Sequence, residues 1–322
     1  MNAVKYKNSG EVFAFVPSYN HAPFVEKCLK SIFKQTLPPK KLLVIDDGSK
    51  DNSPKIIERI LKDCPFDAEL TARENRGLSA TLNEGFSQST GDYFAYLSSD
   101  DVWLPSFLKE RTTLLLSRPE AILAFGHAFL IDEQDRIFDS TANWTEYQDV
   151  DMLPLFLRGI VFPSSSVVYR RALMEKYKWN EDSILEDYEL YLNLCADACE
   201  FAFDQSILSA WRQHGWNVSG DYPLMLEEWI AAQNRIAEKL NIAPEKLKKN
   251  QTELKFNAVA DYIRHGRKSE AFSLLRENLR GAKSVSQIAE MILRLSIPRQ
   301  VFAWNRNRKK KSAVEHYGKL EI

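Results

Sequence analysis

The sequence predicts an α/β fold with a mixed, mainly parallel sheet, joined at its C-terminal end to an all-α region. Three observations carry that expectation. Between residues 11 and 100, short apolar runs alternate with segments whose apolar residues recur at helical spacing. Two of those runs end in adjacent acids, Asp46-Asp47 and Asp100-Asp101. Beyond Asp221 the strand signals stop and only helical patterns remain.

Taken in order, residues 12–16 form an apolar run closed by Pro17-Ser18-Tyr19-Asn20, followed by Phe24, Val25, Cys28, Leu29, Ile32 and Phe33 at helical spacing. Residues 42–45 repeat the scheme. There Asp51-Asn52-Ser53 are the capping candidates, Pro54 sits in the first turn, and Ile56, Ile57, Ile60 and Leu61 make the buried stripe. A third unit runs from residue 68 through Phe86, and residues 93–97 supply a fourth strand. Parallel sheets of this kind place their ligands beyond the carboxyl ends of the strands, where the Pro17 turn and both acid pairs lie. After Asp101 a helix is expected over 105–117, strands over 122–131, 165–169 and 201–210 with a return strand after the 132–135 turn, and a helix over 186–199. Helices are expected over 224–240, 247–265, 269–279 and 285–295. The second and third of these resemble one tetratricopeptide-like hairpin, too little for a repeat array. The expected organisation is a catalytic domain over 1–220, a helical region over 221–298 and a basic tail over 299–322.

At 322 residues, 44% hydrophobic and 27% charged, the chain has the composition of a soluble globular protein. The net charge of -1 conceals an asymmetry: seven cations and no acid fall between Met291 and Val314. Four cysteines without metal or redox spacing point to packing and a reducing compartment. The polar start and the lack of any apolar stretch of about 18 residues lead to a cytoplasmic expectation. Aromatic and aliphatic residues beside the tail cations favour peripheral contact with an anionic membrane, on its inner face, over nucleic acid.

The first strand has no G-x-G-x-x-G loop and the chain no G-x-x-x-x-G-K-[ST] loop, which removes the main support for dinucleotide or P-loop chemistry. Acids stand in their place, a set suited to a divalent cation that grips a diphosphate. The ordered motifs V-P-S-Y-N (Val16 to Asn20), V-I-D-D-G-S (Val44 to Ser49), E-N-R-G-L-S (Glu74 to Ser79), L-S-S-D-D-V-W (Leu97 to Trp103), L-E-D-Y-E-L (Leu185 to Leu190) and W-R-Q-H-G-W-N-V-S (Trp211 to Ser219) resemble a family 2 glycosyltransferase with a GT-A fold.

That resemblance implies metal-dependent, inverting transfer of a sugar from a nucleotide-diphospho-sugar, UDP- or dTDP-linked, to a hydroxyl of a glycan or lipid-linked acceptor in surface polysaccharide or glycoconjugate assembly. Pro17, Ser18, Tyr19, Asn20, Asp47, Arg76, Gly77 and Asp100 match donor-binding positions. Asp101 and His214 match positions that hold Mn²⁺ or Mg²⁺ or approach the diphosphate. Relatives often carry a further acid where this chain has Ser98, so only the Asp100-Asp101 pair remains. Asp187 matches the single base, because a metal-bound diphosphate departs without a proton and only the acceptor hydroxyl needs one removed. Glu186 beside it matches an acceptor-orienting position. Acids in a first helical turn also complement the helix dipole. The competing expectation is a sugar-nucleotide-binding scaffold that has lost turnover and works through its C-terminal helices.

Overall fold

The computed structural model describes residues 10–144, 147 and 151–321. Its first half repeats strand and helix: β1 (Val12–Ser18), α1 (Val25–Phe33), β2 (Lys41–Asp46), α2 (Ser53–Leu61), β3 (Asp67–Ala72), α3 (Leu78–Gln88) and β4 (Tyr93–Tyr96). The sidedness of these strands is written in their alternation. Phe13, Phe15, Leu43, Ile45, Phe94 and Tyr96 enter one hydrophobic core, whereas Val12, Ala14, Val16, Leu42, Val44, Tyr93 and Ala95 enter the other. Both faces of the sheet are therefore covered, as parallel strands require.

The next segment supplies β5 (Val102–Trp103), α4 (Phe107–Ser117), β6 (Ala121–Ile131), β7 (Ile137–Ser140), α5 (Leu153–Phe156), β8 (Val168–Arg170), α6 (Arg171–Met174), α7 (Glu186–Ala196) and β9 (Glu200–Arg212). The nine strands of the described residues form one sheet in the order β3-β2-β1-β4-β8-β6-β9-β5, with β7 paired to β6. β3, β2, β1 and β4 run parallel, β8 is antiparallel to both β4 and β6, and β9 returns parallel to β6. The sheet is mixed and mostly parallel, as expected. One strand begins later than the sequence suggests. Ser164–Ser166 forms a 3₁₀ turn rather than the start of β8, and the Ser166 hydroxyl donates to the Pro163 carbonyl at 2.7 Å, a local bond that competes with a sheet ladder.

The C-terminal third is helical: α8 (Tyr222–Ile236), α9 (Pro244–Arg264), α10 (Lys268–Glu277), α11 (Val285–Ser296) and α12 (Arg299–Tyr317). α8 joins this region to the sheet, because Ala232 and Ile236 pack into the core on one of its faces and Gln233 Nε2 donates to the Tyr188 hydroxyl at 2.8 Å. The basic tail is ordered as α12 and the short segment after it. Gly318 accepts from Ile137 N at 3.1 Å, Leu320 N donates to Asp135 at 2.8 Å, and the Leu320 side chain is buried beside Ile131 and Ile137. The tail thus folds back onto the turn between β6 and β7.

Candidate active site at the strand ends

The carboxyl ends of β1 and β2 are laced together by their own side chains. Asp46 accepts from Ser49 N at 2.9 Å, from Ser49 Oγ at 2.7 Å and from the Ser18 hydroxyl at 3.3 Å. Asn20 takes a left-handed conformation (φ 55) that lets its N–H reach Ser49 Oγ at 2.8 Å while its side-chain oxygen accepts from Lys50 N at 2.7 Å. Pro17 and Ser18 are buried, and Tyr19 is 46% exposed at the rim. Asp47 holds the following loop: it accepts from Arg76 N at 2.8 Å, from Gly77 N at 2.9 Å and from the Arg73 guanidinium. Gly48 allows this closure, since at φ +78 a Cβ would lie 2.8 Å from Asn75 N. Asp47 is therefore the anchor of the Arg76-Gly77 loop, a role its place in the sequence does not disclose. The Arg76 side chain is 56% exposed and pairs with Glu84 at 3.2 Å.

After β4 the chain turns through Ser98 and Ser99 into the acid pair, and the two acids part company. Asp100 stands between two imidazoles: His214 Nε2 lies 3.0 Å from Oδ2, and His21 Nδ1 lies 3.7 Å from Oδ1. One ligand atom from each of His21, Asp100 and His214 falls within 4.8 Å of the others, the spacing of a cation site. Asp101 points elsewhere and accepts the Arg212 N–H at 2.8 Å. The structure thus brings Asp100, rather than Asp101, together with His214. Electrostatics follows the same division. Burial pushes the Asp100 carboxyl upward, but the His214 hydrogen bond and the His21 charge outweigh it and leave the group below its ordinary value. Burial and then the Asp100 charge push Asp101 well above the carboxylate range. His21 is held below its usual value by burial, with the Asp100 charge opposing.

Two residues here were not singled out from the sequence. His21 is one. The other is Arg212, which is fully buried and ties two turns together: its guanidinium donates to the Asp100 carbonyl at 2.7 Å, to the Asp132 carbonyl at 2.8 Å and to Asp135 at 2.8 Å. The signal available was its place two residues before His214 in W-R-Q-H. The 132–135 turn that it grips is also where Leu320 N and Lys310 dock, so the tail braces the back of the acid turn.

Glu186 and Asp187 open α7 and are partly buried. Tyr191 of α7 meets Tyr169 hydroxyl to hydroxyl at 3.4 Å, and the Tyr169 ring stacks on Tyr96, the last residue of β4, so this helix packs beside the end of that strand. Burial raises Asp187 to about 6, against the pull of the Tyr188 and Asp187 N–H groups. Burial and then the Asp187 charge raise Glu186 to about 8. Two carboxyls this close titrate as a pair, and burial with their mutual repulsion favours a state in which they share a proton. Of the tryptophans that could stack on a sugar, Trp179 is core at 1% exposure, whereas Trp216 is 60% exposed and its ring centroid lies 4.9 Å from that of His214.

The model of glycosyl transferase family 2 matches residues 13–178, just over half of the chain. The chain belongs to glycosyl transferase family 2. The matched part of this family 2 chain includes Asp47, Arg76, Asp100 and Asp101 and ends before Glu186, Asp187 and His214. The chain is 27% identical over 170 residues to an uncharacterized glycosyltransferase of Nostoc sp., covering 52% of each. It is 29% identical over 211 residues to one of Rickettsia conorii, covering 63% of this chain and 34% of that one. It therefore spans about half or less of the length of these relatives. Solved structures share its GT-A fold. TarS 1-349 of S. aureus in complex with UDP-GlcNAc aligns with TM-score 0.58 at 15% identity, over 95% of this chain and 91% of that one. The mannosyltransferase PcManGT of Pyrobaculum calidifontis in complex with GDP-Man and Mn²⁺ aligns with TM-score 0.60 at 15% identity, over 96% and 88%.

Proposed function

We propose that this chain is an inverting, cation-dependent glycosyltransferase that moves a sugar from a nucleoside-diphosphate donor to an acceptor hydroxyl. The observation that carries the reading is the presence of two features beside the end of β4. One is a carboxylate flanked by imidazoles, Asp100 with His214. The other is a carboxylate raised to about 6, Asp187, at the start of α7. The donor atoms at Asp100 and His214 fit a divalent ion, and an ion bound there would neutralise charge on the departing diphosphate. Arg76, exposed and paired at 3.2 Å with Glu84, meets the donor's phosphates or base in this reading, while Asp47 holds Arg76 and Gly77 through their N–H groups. Asp187 accepts the proton of the acceptor hydroxyl as that oxygen attacks the anomeric carbon. Glu186 beside it orients the acceptor. The donors held by TarS and PcManGT, UDP-GlcNAc and GDP-Man, support the class of substrate. The purified chain with Mn²⁺ should slowly hydrolyse at least one member of a panel of UDP-, dTDP- and GDP-sugars. Binding of such a donor with no hydrolysis and no transfer to any acceptor would favour the inactive scaffold instead.

The acceptor side of the proposal includes a glycan or lipid-linked acceptor met at an anionic membrane surface in surface-glycoconjugate assembly. No helix among the described residues is long and apolar enough to cross a membrane. α12 offers another mode of contact. Its Arg306, Arg308 and Lys309 are exposed, with no acid partner among the described residues, and Trp304 is 62% and Val301 48% exposed beside them. Each cation near an anionic surface is worth about 1 kcal/mol. Deletion of the tail would also strip Leu320 from the core, so the cleaner variant is the full chain with Trp304→Ala, Arg306→Glu, Arg308→Glu and Lys309→Glu. The wild type should float with vesicles containing phosphatidylserine at low salt and less at high salt, and the variant should stay in the pellet fraction. Equal flotation of both proteins, or of neither, would remove the tail from membrane contact.

A further inference from the structure

His21 completes the cluster around Asp100 and His214. It stands just after β1, beside His214, and faces the other carboxylate oxygen of Asp100. Its backbone is fixed on both sides. His21 N donates to Ser53 Oγ at 3.0 Å, and its carbonyl accepts from Phe24 N and Val25 N, both at 2.9 Å, at the entry to α1. Its ring lies 6.2 Å from that of Phe24 and 5.5 Å from that of His214, and Nδ1 is 2.8 Å from Ser99 Oγ. A ligand held this rigidly loses little freedom on binding.

The chemistry of the resulting donor set is distinctive. Carboxylates, carbonyls and water suit Mg²⁺, which dehydrates reluctantly and demands oxygen ligands in near-ideal octahedral array. Imidazole nitrogen suits first-row transition ions, and two imidazoles with one carboxylate form a set that leaves several positions open for ligand oxygens. We infer that His21 is a third protein ligand of the cation site and makes it select a transition ion such as Mn²⁺ over Mg²⁺. The inference rests on the proposed Asp100–His214 cation site and adds to it the residue that sets metal identity. The alternative is that His21 is only a latch, its Nδ1 bond to Ser99 tying the β1 turn to the β4 turn.

The test uses the full chain with Mn²⁺ alone as probe, binding being read from the loss of the free-ion electron paramagnetic resonance signal, and Mg²⁺ affinity obtained by competition. Wild type should bind Mn²⁺ at least about tenfold more tightly than Mg²⁺. His21→Ala and His21→Gln should lose about 10- to 100-fold in Mn²⁺ affinity, while Mg²⁺ affinity changes little, so that the preference collapses. Ser99→Ala removes the latch and spares the ligand, and should keep wild-type Mn²⁺ affinity. Thermal melts without metal identify any variant that fails to fold, and His21→Gln guards against that by keeping a polar group toward Ser99. Unchanged Mn²⁺ affinity in both His21 variants, or an equal loss in Ser99→Ala, would overturn the ligand role. Unchanged affinity in Asp100→Asn would instead show that the cation site itself is misplaced.

Discussion

Asp187→Asn should lower kcat by about 10²-fold or more and leave donor affinity close to that of the wild type. The amide keeps the size and the hydrogen-bonding reach of the carboxylate but cannot take a proton. Because that proton leaves the acceptor only as the new bond forms, the loss belongs to the transition state and not to donor binding. Calorimetry with the donor nucleotide, run beside a turnover assay, separates the two. A matching loss of donor affinity would move Asp187 from the base position to the donor site. The raised value of about 6 adds a pH signature. The base must be ionised, so kcat/KM should fall about tenfold per unit as pH drops below about 6. Stability should run the other way. A carboxyl whose folded value exceeds its ordinary one favours the fold when protonated, and that contribution is lost as pH rises through the folded value. For Asp187 the loss builds from the ordinary carboxylate value and is complete just above about 6, and for Glu186 it is complete just above about 8. Asp187→Asn and Glu186→Gln should therefore melt higher than the wild type at pH 8, by about 2–4 °C for each kcal/mol recovered, and the gain should shrink at pH 5. A base that costs stability where it works is what a functional site would show and a simple helix cap would not.

The sheet was legible because its signal is physical and local. Residues 12–16, 42–45 and 93–97 are apolar on both faces, and only a strand covered on two sides buries such a run. The acid pairs were legible for the same reason, since adjacent carboxylates at the end of a core strand have no place in packing. What the local pattern leaves out is direction. Nothing in Ser98-Ser99-Asp100-Asp101 states which carboxylate turns toward His214 and which toward Arg212, because that depends on β9, more than a hundred residues away. His21 was missed on similar grounds: in sequence it is a polar residue after a turn, and only the fold sets it opposite His214. Asp47 was legible as a site residue, yet its bonds to the Arg76 and Gly77 N–H groups come from a loop after β3 that the sequence cannot place. The tail was read as a basic end and not as a docked helix. Its anchoring rests on a few bonds from Leu320, Gly318 and Lys310 to the β6–β7 turn, which leave no periodic trace.

The division of labour within the acid pair leads to the other large effect. Asp100→Asn should reduce Mn²⁺-dependent affinity for UDP or another donor nucleotide by about 10²-fold or more, whereas Asp101→Asn should cost under about tenfold, with the fold intact in both. In Asp100→Asn the only carboxylate between His21 and His214 is gone, and an amide offers one weakly basic oxygen with an N–H₂ group that repels a cation. In Asp101→Asn the side-chain oxygen can still accept the Arg212 N–H, so the turn keeps its shape and the Asp100 carboxylate its place. The measurement is nucleotide binding by calorimetry in Mn²⁺ and again in EDTA. Wild type and Asp101→Asn should weaken together when EDTA removes the ion, and Asp100→Asn should already bind at that lower level and lose nothing further. If Asp101→Asn proves the harsher change, the ion belongs to Asp101, and the contact between Asp100 and the two imidazoles is a structural bond of the empty protein. If neither variant differs from wild type and EDTA has no effect, the donor diphosphate is held by cationic groups such as Arg76 and no ion takes part.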